Sequence, residues 1–489
     1  MRYIVALRLF LFVGIFTCFS HAQAGDDFTI AALPDTQFYS KSYPQIFAAE
    51  TEWILNNSVP QNIKFVVGLG DIVDGGGEVS QWQNADSAYN ILDRKIPFLP
   101  TIGNHDYDRN NPAGRTGSTV NYNNFFGPAR FSDRAWYKGS YPAGSNENFY
   151  AAFTIGSHNY LVVVLEVFPR DSSLQWAASI IQSHPTYDVI VVTHAYTFYN
   201  NTRMDHCDEN SAGTFGVSQD NDGEQIWEKL VSKYSNIVMV LSGHVVEGDG
   251  TGRRSDFGVN GNLVNQILAD YQSYPNGGNG YIRLITVSPS KNTVSVKTYS
   301  PYLNRYMTDD HNQFTVAYKN NGSLRGGNGA ISGVVKNVAD CSRVSNAAIV
   351  STAGNATTDS SGSFSIDTTG PKTYQLGENL TGYGMAYGGT GATVVPGQPS
   401  PIKVFVSTEG MLRGQVTLNG APVANATVFI SGGSLRTWTT VTTAGDGSYN
   451  AGWLPFGSYT ITATTPSGMQ LHSSATVQVG ISNTSNIGN

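Results

Sequence analysis

The sequence predicts a layered α/β domain, a two-sheet β-sandwich flanked by helices, followed by two small all-β sandwich domains. Three observations predict it. From Phe28 to about residue 318, short runs of Val, Ile and Leu alternate with helical patterns. After Lys319 the helical patterns stop, and short Thr/Val-rich strands with Gly turns take over. Within that second part a set of motifs recurs at an offset of about 80 residues.

The first part supplies strand-like runs at Phe28–Leu33, Ile63–Leu69, Phe98–Ile102, Tyr160–Leu165, Asp188–Val192 and Ile237–Leu241. Helical patterns lie between several of them, at Gln45–Leu55, Ser80–Leu92, Leu174–Gln182 and Glu224–Tyr234. Continuous apolar runs separated by amphipathic helices belong to a sheet covered on both faces. Val264–Ala269, Tyr281–Val287 and Thr293–Thr298 have no helices between them and predict a second sheet. The segment NNGSLRGGNG then reads as a flexible hinge. Beyond it, Gly333-Val334-Val335 recurs as Gly414-Gln415-Val416, and Ser361-Gly362-Ser363-Phe364 as Asp446-Gly447-Ser448-Tyr449. Two sandwiches fit this pattern.

With 489 residues, 40% of them apolar, there is material for several cores. Charged residues make up only 13%, about half the usual ~25%. The formal net charge of −7 becomes −9 without Arg2 and Arg8, which excludes a polyanion binder working through general electrostatics. Residues 1–24 read as a secretory signal peptide, with two arginines, an apolar run from Leu9 to Phe16 and Ala22-Gln23-Ala24 at its end. No later stretch is apolar enough to cross a bilayer, so an exported, soluble mature chain is expected: periplasmic, extracellular or on the cell surface. The expected domains are 25–320, a linker at 321–330, and sandwiches at 331–408 and 409–489. Cys207 and Cys341 fall in different domains, so the chain is not expected to rest on disulfides.

The residues that carry chemistry follow the strands. They are Asp35-Thr36-Gln37, Gly70-Asp71 through Asp74, Gly103-Asn104-His105-Asp106, Thr193-His194 and Gly243-His244-Val245-Val246. Strand ends of an α/β sheet converge on one edge, where ligand sites form. Asp, Asn and His together suit hard or borderline divalent cations.

In this order, the clusters resemble those of the calcineurin-like metallophosphoesterases: DxH, GDxx(D), GNH(D/E), a lone His after a strand, and GHxH. The resemblance covers residues 28 to about 260. It implies a two-metal site that hydrolyses phosphate mono- or diesters with a metal-activated hydroxide. It also implies that Asp71 bridges the ions and that Asn104, His194 and His244 complete the second position, with Asp35 in the first. His105 stands where the family has the histidine beside the substrate, and Asp106 is expected to orient its imidazole. Two departures weaken the first position: Gln37 stands for a His, and Val246 for the final His. The remaining set of Asp35, Asp71 and Gln37 favours Mg²⁺, Mn²⁺ or Ca²⁺ over Zn²⁺. Its gap is open to Glu247, Asp249, Asp205 or His206. One or two divalent ions (Mn, Fe, Zn, Mg or Ca) are therefore expected.

Other features have two readings each. Arg253 and Arg254 are either a phosphate clamp or a polar turn, and Glu166 either faces the cleft or caps it. Tyr122, Phe125, Phe126, Trp136 and Tyr137 form a substrate wall or a local core, while Gly277–Gly280 is a turn. Both C-terminal units resemble carboxypeptidase-regulatory-like, transthyretin-like sandwiches, the second through Leu454-Pro455-Phe456-Gly457-Ser458-Tyr459. They serve as spacers or, through Trp438 and Trp453, as contacts for carbohydrate or the cell surface. The expected substrate is a small phosphate ester, with no specific nucleic-acid partner. The rival is a non-catalytic binding protein with a decayed one-metal domain. The hinge further predicts that residues 25–320 work without the sandwiches.

Overall fold

A computed structural model describes residues 26–108, 117–215, 221–322, 324–338, 340–379, 384–387, 391–399, 401–407, 409–433, 437–478 and 482–488. The expected leader over 1–24 lies outside the described residues. The first domain runs β1 (Phe28–Leu33), α1 (Gln37–Ser42), α2 (Pro44–Asn57), β2 (Ile63–Gly68), α3 (Val79–Leu92) and β3 (Phe98–Leu99). It continues with α4 (Val120–Phe126), α5 (Pro128–Phe131), β4 (Tyr137–Tyr141), β5 (Asn148–Ile155), β6 (His158–Leu165), α6 (Asp171–Ser183) and β7 (Asp188–Thr193). Then come α7 (Gly223–Lys229), β8 (Ile237–Ser242), β9 (Thr251–Phe257), β10 (Leu263–Ala269), β11 (Ile282–Ser288), β12 (Thr293–Ser300), β13 (Arg305–Met307) and β14 (Gln313–Ala317).

These strands make two sheets. One has the order β13-β12-β11-β1-β2-β3, with β14 also on β12; the other has the order β4-β5-β6-β7-β8-β10-β9. Their inner faces meet in a core of Phe28, Ile30, Phe65, Val162, Ile190, Leu241 and Ile285. On the outer face of the first sheet Ile46, Phe47, Ile54, Trp82 and Tyr89 of α2 and α3 pack. On that of the second, Leu174 and Ile181 of α6 pack with Ile226 of α7. The apolar positions of α2 recur at helical spacing, and Pro44 starts the helix where a missing N–H costs nothing.

The three strands expected to make a second sheet do not form a sheet of their own. β11 and β12 are an antiparallel pair added to β1, and β10 joins β8 in parallel with β9 as the antiparallel edge beyond it. β11 and β12 form a hairpin, which needs no crossover helix, whereas between β10 and β11 the chain passes from one sheet to the other through a short helix at Pro275–Gly278.

The two sandwiches follow, each with its own core. The first centres on Ile331, Val335, Ile349, Phe364 and Val404, the second on Leu412, Val428, Ile430, Tyr459 and Ile461. The opening strand of the first, Gly327–Asn337, pairs with Ser363–Gly370 and so takes in the end of the segment read as linker. No helix among the described residues is long and apolar enough to cross a membrane.

The first sandwich is bolted to the first domain, against expectation. A disulfide joins Cys207 to Cys341 across 134 residues. Lys403, buried, pairs with Asp205 and Asp208, and His206 lies against the carbonyl of Val338 and the ring of Phe405. Arg254 donates to the carbonyl of Pro401. Each cysteine is alone in its own domain, so composition gave no sign of the pairing.

Candidate metal centre

The parallel strands β1, β2, β7, β8 and β10 end along one edge shared by the two sheets, and the loops beyond them carry the site. Close packing of these loops demands glycine. A Cβ on Gly103 would overlap the Asp71 carboxylate, and one on Gly243 would overlap that of Asp35. Asp71 (φ 46°) and His244 (φ 76°) both hold left-handed backbone, a conformation unfavourable for these residues that concentrates at functional sites.

His194 and His244 are held by carbonyls. His194 Nδ1 donates to Leu69 O at 2.8 Å, and His244 Nε2 donates to Asn210 O at 2.7 Å. The opposite nitrogens are thereby bare, and they face each other: His194 Nε2 is 3.1 Å from His244 Nδ1. The same Nε2 lies 3.1 Å from Asn104 Oδ1 and 3.3 Å from Asp71 Oδ2. Four acceptors therefore converge with spacings near the ~3.4 Å edge of a tetrahedron with ~2.1 Å metal–ligand bonds. Without a cation the four must divide protons. Burial lowers His194, but Asp71 beside it prevails and moves its pKa up; burial and the charged His194 push His244 down to about 3. Burial raises the Asp71 carboxyl, yet His194 and His105 outweigh it and hold it well below the carboxylate range.

His105 lies at the rim, its side chain 18% exposed. Its backbone N–H donates to Asp71 Oδ1 at 2.9 Å, and its ring Nδ1 to the carbonyl of Asp74 at 2.8 Å. Nε2 then faces the site, 3.8 Å from Asp71 Oδ2. Phe168 and Phe215 pack against His244 and close that side.

The family model of calcineurin-like phosphoesterases matches residues 28–248, over the strands and loops just described. This is a calcineurin-like phosphoesterase domain. The model of carboxypeptidase regulatory-like domains matches residues 411–488, the second sandwich. The uncharacterized protein YvnB of Bacillus subtilis (strain 168) is 34% identical over 301 residues, 59% of this chain and 21% of that protein. The chain thus spans about a fifth of that relative's length. Among solved structures, purple acid phosphatase PPD1 from yellow lupin aligns at 12% identity and a TM-score of 0.38, over 60% of this chain and 54% of its own. GAP50, the anchor in the inner membrane complex of Plasmodium, aligns at 12% identity and a TM-score of 0.33, over 60% and 88%.

In the phosphoesterase domain the residues fit one divalent cation directly: Asp71, Asn104, His194 and His244 each aim a bare acceptor at one point. Asp35, Gln37 and Asp71 lie beside it. Asp35 accepts the His244 N–H at 3.1 Å, and the Gln37 amide reaches Asp71 Oδ2 at 3.5 Å while its Oε1 is buried without a partner.

Several expectations need correction. Asp106 does not touch the His105 ring; its oxygens accept the backbone N–H groups of Val73 and Gly103, tying two site loops together. None of the four candidates for the gap fills it. Asp205 and His206 face the first sandwich, Glu247 bonds Asn210, and Asp249 pairs with His311. Arg254 is buried on Asp256, and Arg253 donates to Asp310 O, so neither is a phosphate clamp. Glu166 accepts from Ser173 and Arg170 at the start of α6. The aromatic set packs around Trp82 and Phe131 as a local core.

Asp270 was missed. It follows β10, is 1% exposed, and its Oδ1 accepts the Gln272 backbone N–H at 3.0 Å. Burial, next to Asp71, pushes it up to about 7. Its signal was the one used elsewhere, a polar residue directly after an apolar strand, here Val264–Ala269. It lies beyond the last family motif, where the comparison by motif stops.

Proposed function

We propose that this protein is an exported phosphoesterase hydrolysing phosphate mono- or diesters with the help of one or two divalent cations. The observation that carries the reading is the convergence of Asp71, Asn104, His194 and His244 on one point beside a partly exposed histidine whose Nδ1 is held by a carbonyl. Bound divalent cations would supply Lewis-acid chemistry, neutralising the phosphate and acidifying water.

The chain does the rest. Asp71 and the two carbonyl-anchored imidazoles preset the charge and geometry to which a phosphate is drawn. His105 presents Nε2 toward the same space; protonated there, it bonds a phosphoryl oxygen and delivers the proton to the departing alkoxide. Asp74 O holds that tautomer. Phe168 and Phe215 exclude water from the His244 side. Export is part of the same proposal, supported by the leader-like sequence and by the Cys207–Cys341 disulfide, which belongs to an oxidising compartment. Carbohydrate or cell-surface contact is assigned to Phe429 and Trp438, exposed neighbours on paired strands of the second sandwich.

The test is hydrolysis of an aryl phosphate monoester and diester by the full chain, with metal content measured on the same sample. Hydrolysis that a chelator abolishes and added Mn²⁺ restores is the expected result. A folded, metal-loaded protein inert toward both esters would overturn the reading in favour of a non-catalytic binding protein.

A further inference from the structure

We propose that Lys403 and Asp205 condense into an amide bond, a second covalent bridge between the first sandwich and the phosphoesterase domain beside the Cys207–Cys341 disulfide.

Lys403 lies on the strand Ile402–Ser407 of the first sandwich, and Asp205 and Asp208 lie on the loop between β7 and α7. The three side chains are 7%, 1% and 6% exposed. Nζ stands 2.5 Å from Asp205 Oδ2, and it donates to Asp208 Oδ2 and, at 3.3 Å, to the carbonyl of Arg203. It also lies over the ring of Phe198, 5.2 Å from the centroid. Lys336 adds a second cation, 4.0 Å from Asp208 Oδ1. The two carboxylates are held differently, which separates their roles. Asp208 Oδ2 is engaged twice, by Nζ and by the Asp205 backbone N–H at 2.9 Å. Asp205 Oδ1 accepts the Cys207 N–H at 2.8 Å, whereas its Oδ2 is buried with no partner in hydrogen-bond geometry, although Nζ is beside it. A buried ion pair and an orphaned buried oxygen are both costly. Condensation removes the charge pair and the orphaned oxygen together.

The step balances without an outside reagent. Asp208 takes one proton from the Lys403 ammonium and hands it to Asp205 Oδ2, so that a free amine faces a neutral carboxyl. The nitrogen lone pair forms the new bond at Asp205 Cγ, and the Cys207 N–H steadies the charge developing on Oδ1. A second proton passes from nitrogen to Oδ2 by the same route, the Cγ–Oδ2 bond breaks, and water leaves. Ammonium and carboxylate have become amide and water. Burial, opposed by Lys403 and reinforced by Asp205, pushes the Asp208 carboxyl up to about 6, where it can both accept and return a proton. Fixed contact in place of encounter is worth effective concentrations of ~10⁵–10⁸ M. Exclusion of water from the buried pair opposes the reverse hydrolysis.

The experiment is mass spectrometry of the full chain after reduction and unfolding, which remove the disulfide and every non-covalent contact. Wild type should be lighter than its sequence by one water, and its digest should contain a branched peptide joining the Lys403 segment to the segment of Asp205 and Asp208. Lys403→Arg, whose guanidinium keeps its charge, and Asp205→Ala should both regain the full mass. Asp208→Ala should leave part of the chain unbridged, and complete bridging in that variant would overturn its part as proton carrier. Wild type at full mass overturns the proposal. So does a missing water that maps to an unbranched peptide, as a succinimide at an Asp-Gly step would give, and so does a branch that fragmentation places on Asp208. The deciding mass and branch are read on wild type, so the outcome stands even where a variant fails to fold.

Discussion

His105 touches the site without being one of its four converging acceptors, and that separates its chemistry from metal binding. His105→Ala should lower turnover by ~10²–10⁴-fold, the range of a general acid–base group, while metal content stays constant. Parallel loss of metal would reassign His105 to holding the centre together. Asp106→Ala is expected to behave differently. It strips the acceptor from the Val73 and Gly103 amides, leaving two buried donors at ~1–3 kcal/mol each, so the melting temperature should fall together with activity. An Asp106→Ala protein that melts like wild type but turns over slowly would return Asp106 to the imidazole. The contrast shows where the sequence was readable at this scale. Asp71, Asn104, His194 and His244 were legible because a side-chain ligand must be a particular residue type. The partners that fix the imidazoles are carbonyls of Leu69, Asn210 and Asp74. Any residue supplies a carbonyl, so no motif records it.

Elements were easier to read than their pairings. Apolar runs located β1, β2, β6, β7 and β8 within a residue or two, because a strand buried on both faces has no polar positions to hide it. The edge strands β4 and β9, and β5 beside β4, were missed; β9 reads TGRRSDF, and its Arg254 and Asp256 are buried as an ion pair rather than exposed as a turn. Helix α2 holds a second exception. Glu50 lies on its apolar face, fully buried, with both carboxyl oxygens lacking a partner. Burial raises its pKa well above the ordinary ~4.3. The folded chain then retains a proton that the unfolded chain releases, so this group's contribution is fully present below pH ~4.3 and declines as pH climbs toward the folded value. The decline is at most ~1.4 kcal/mol per unit. Glu50→Gln, neutral at every pH, should therefore melt above wild type at pH 8 and level with it near pH 4. An equal difference at both pH values would mean that Glu50 stays ionised in the fold.

At the scale of the whole molecule, the loop that serves His244 is also the loop that the first sandwich grips. Asn210, whose carbonyl orients His244, follows Asp205, His206, Cys207 and Asp208, the residues that meet Lys403, Val338 and Cys341. Hinge-like composition around residues 321–326 concealed this, because linker flexibility says nothing about contacts made elsewhere on the chain. Removing the sandwiches takes the lysine from Asp205 and Asp208 and uncovers both carboxylates, which then repel each other and loosen the loop. A fragment of residues 25–320 should consequently bind the histidine-site metal ~10–100-fold more weakly, as expected when an outer partner of a ligand loosens. Lys403→Met in the full chain should show part of the same loss, and adding Asp205→Asn with Asp208→Asn should restore it by removing the stranded charge. Metal titrations of the fragment, the single and the triple variant, each checked by thermal melting, test the connection. A fragment that binds metal and melts like the intact first domain would reduce the first sandwich to a spacer.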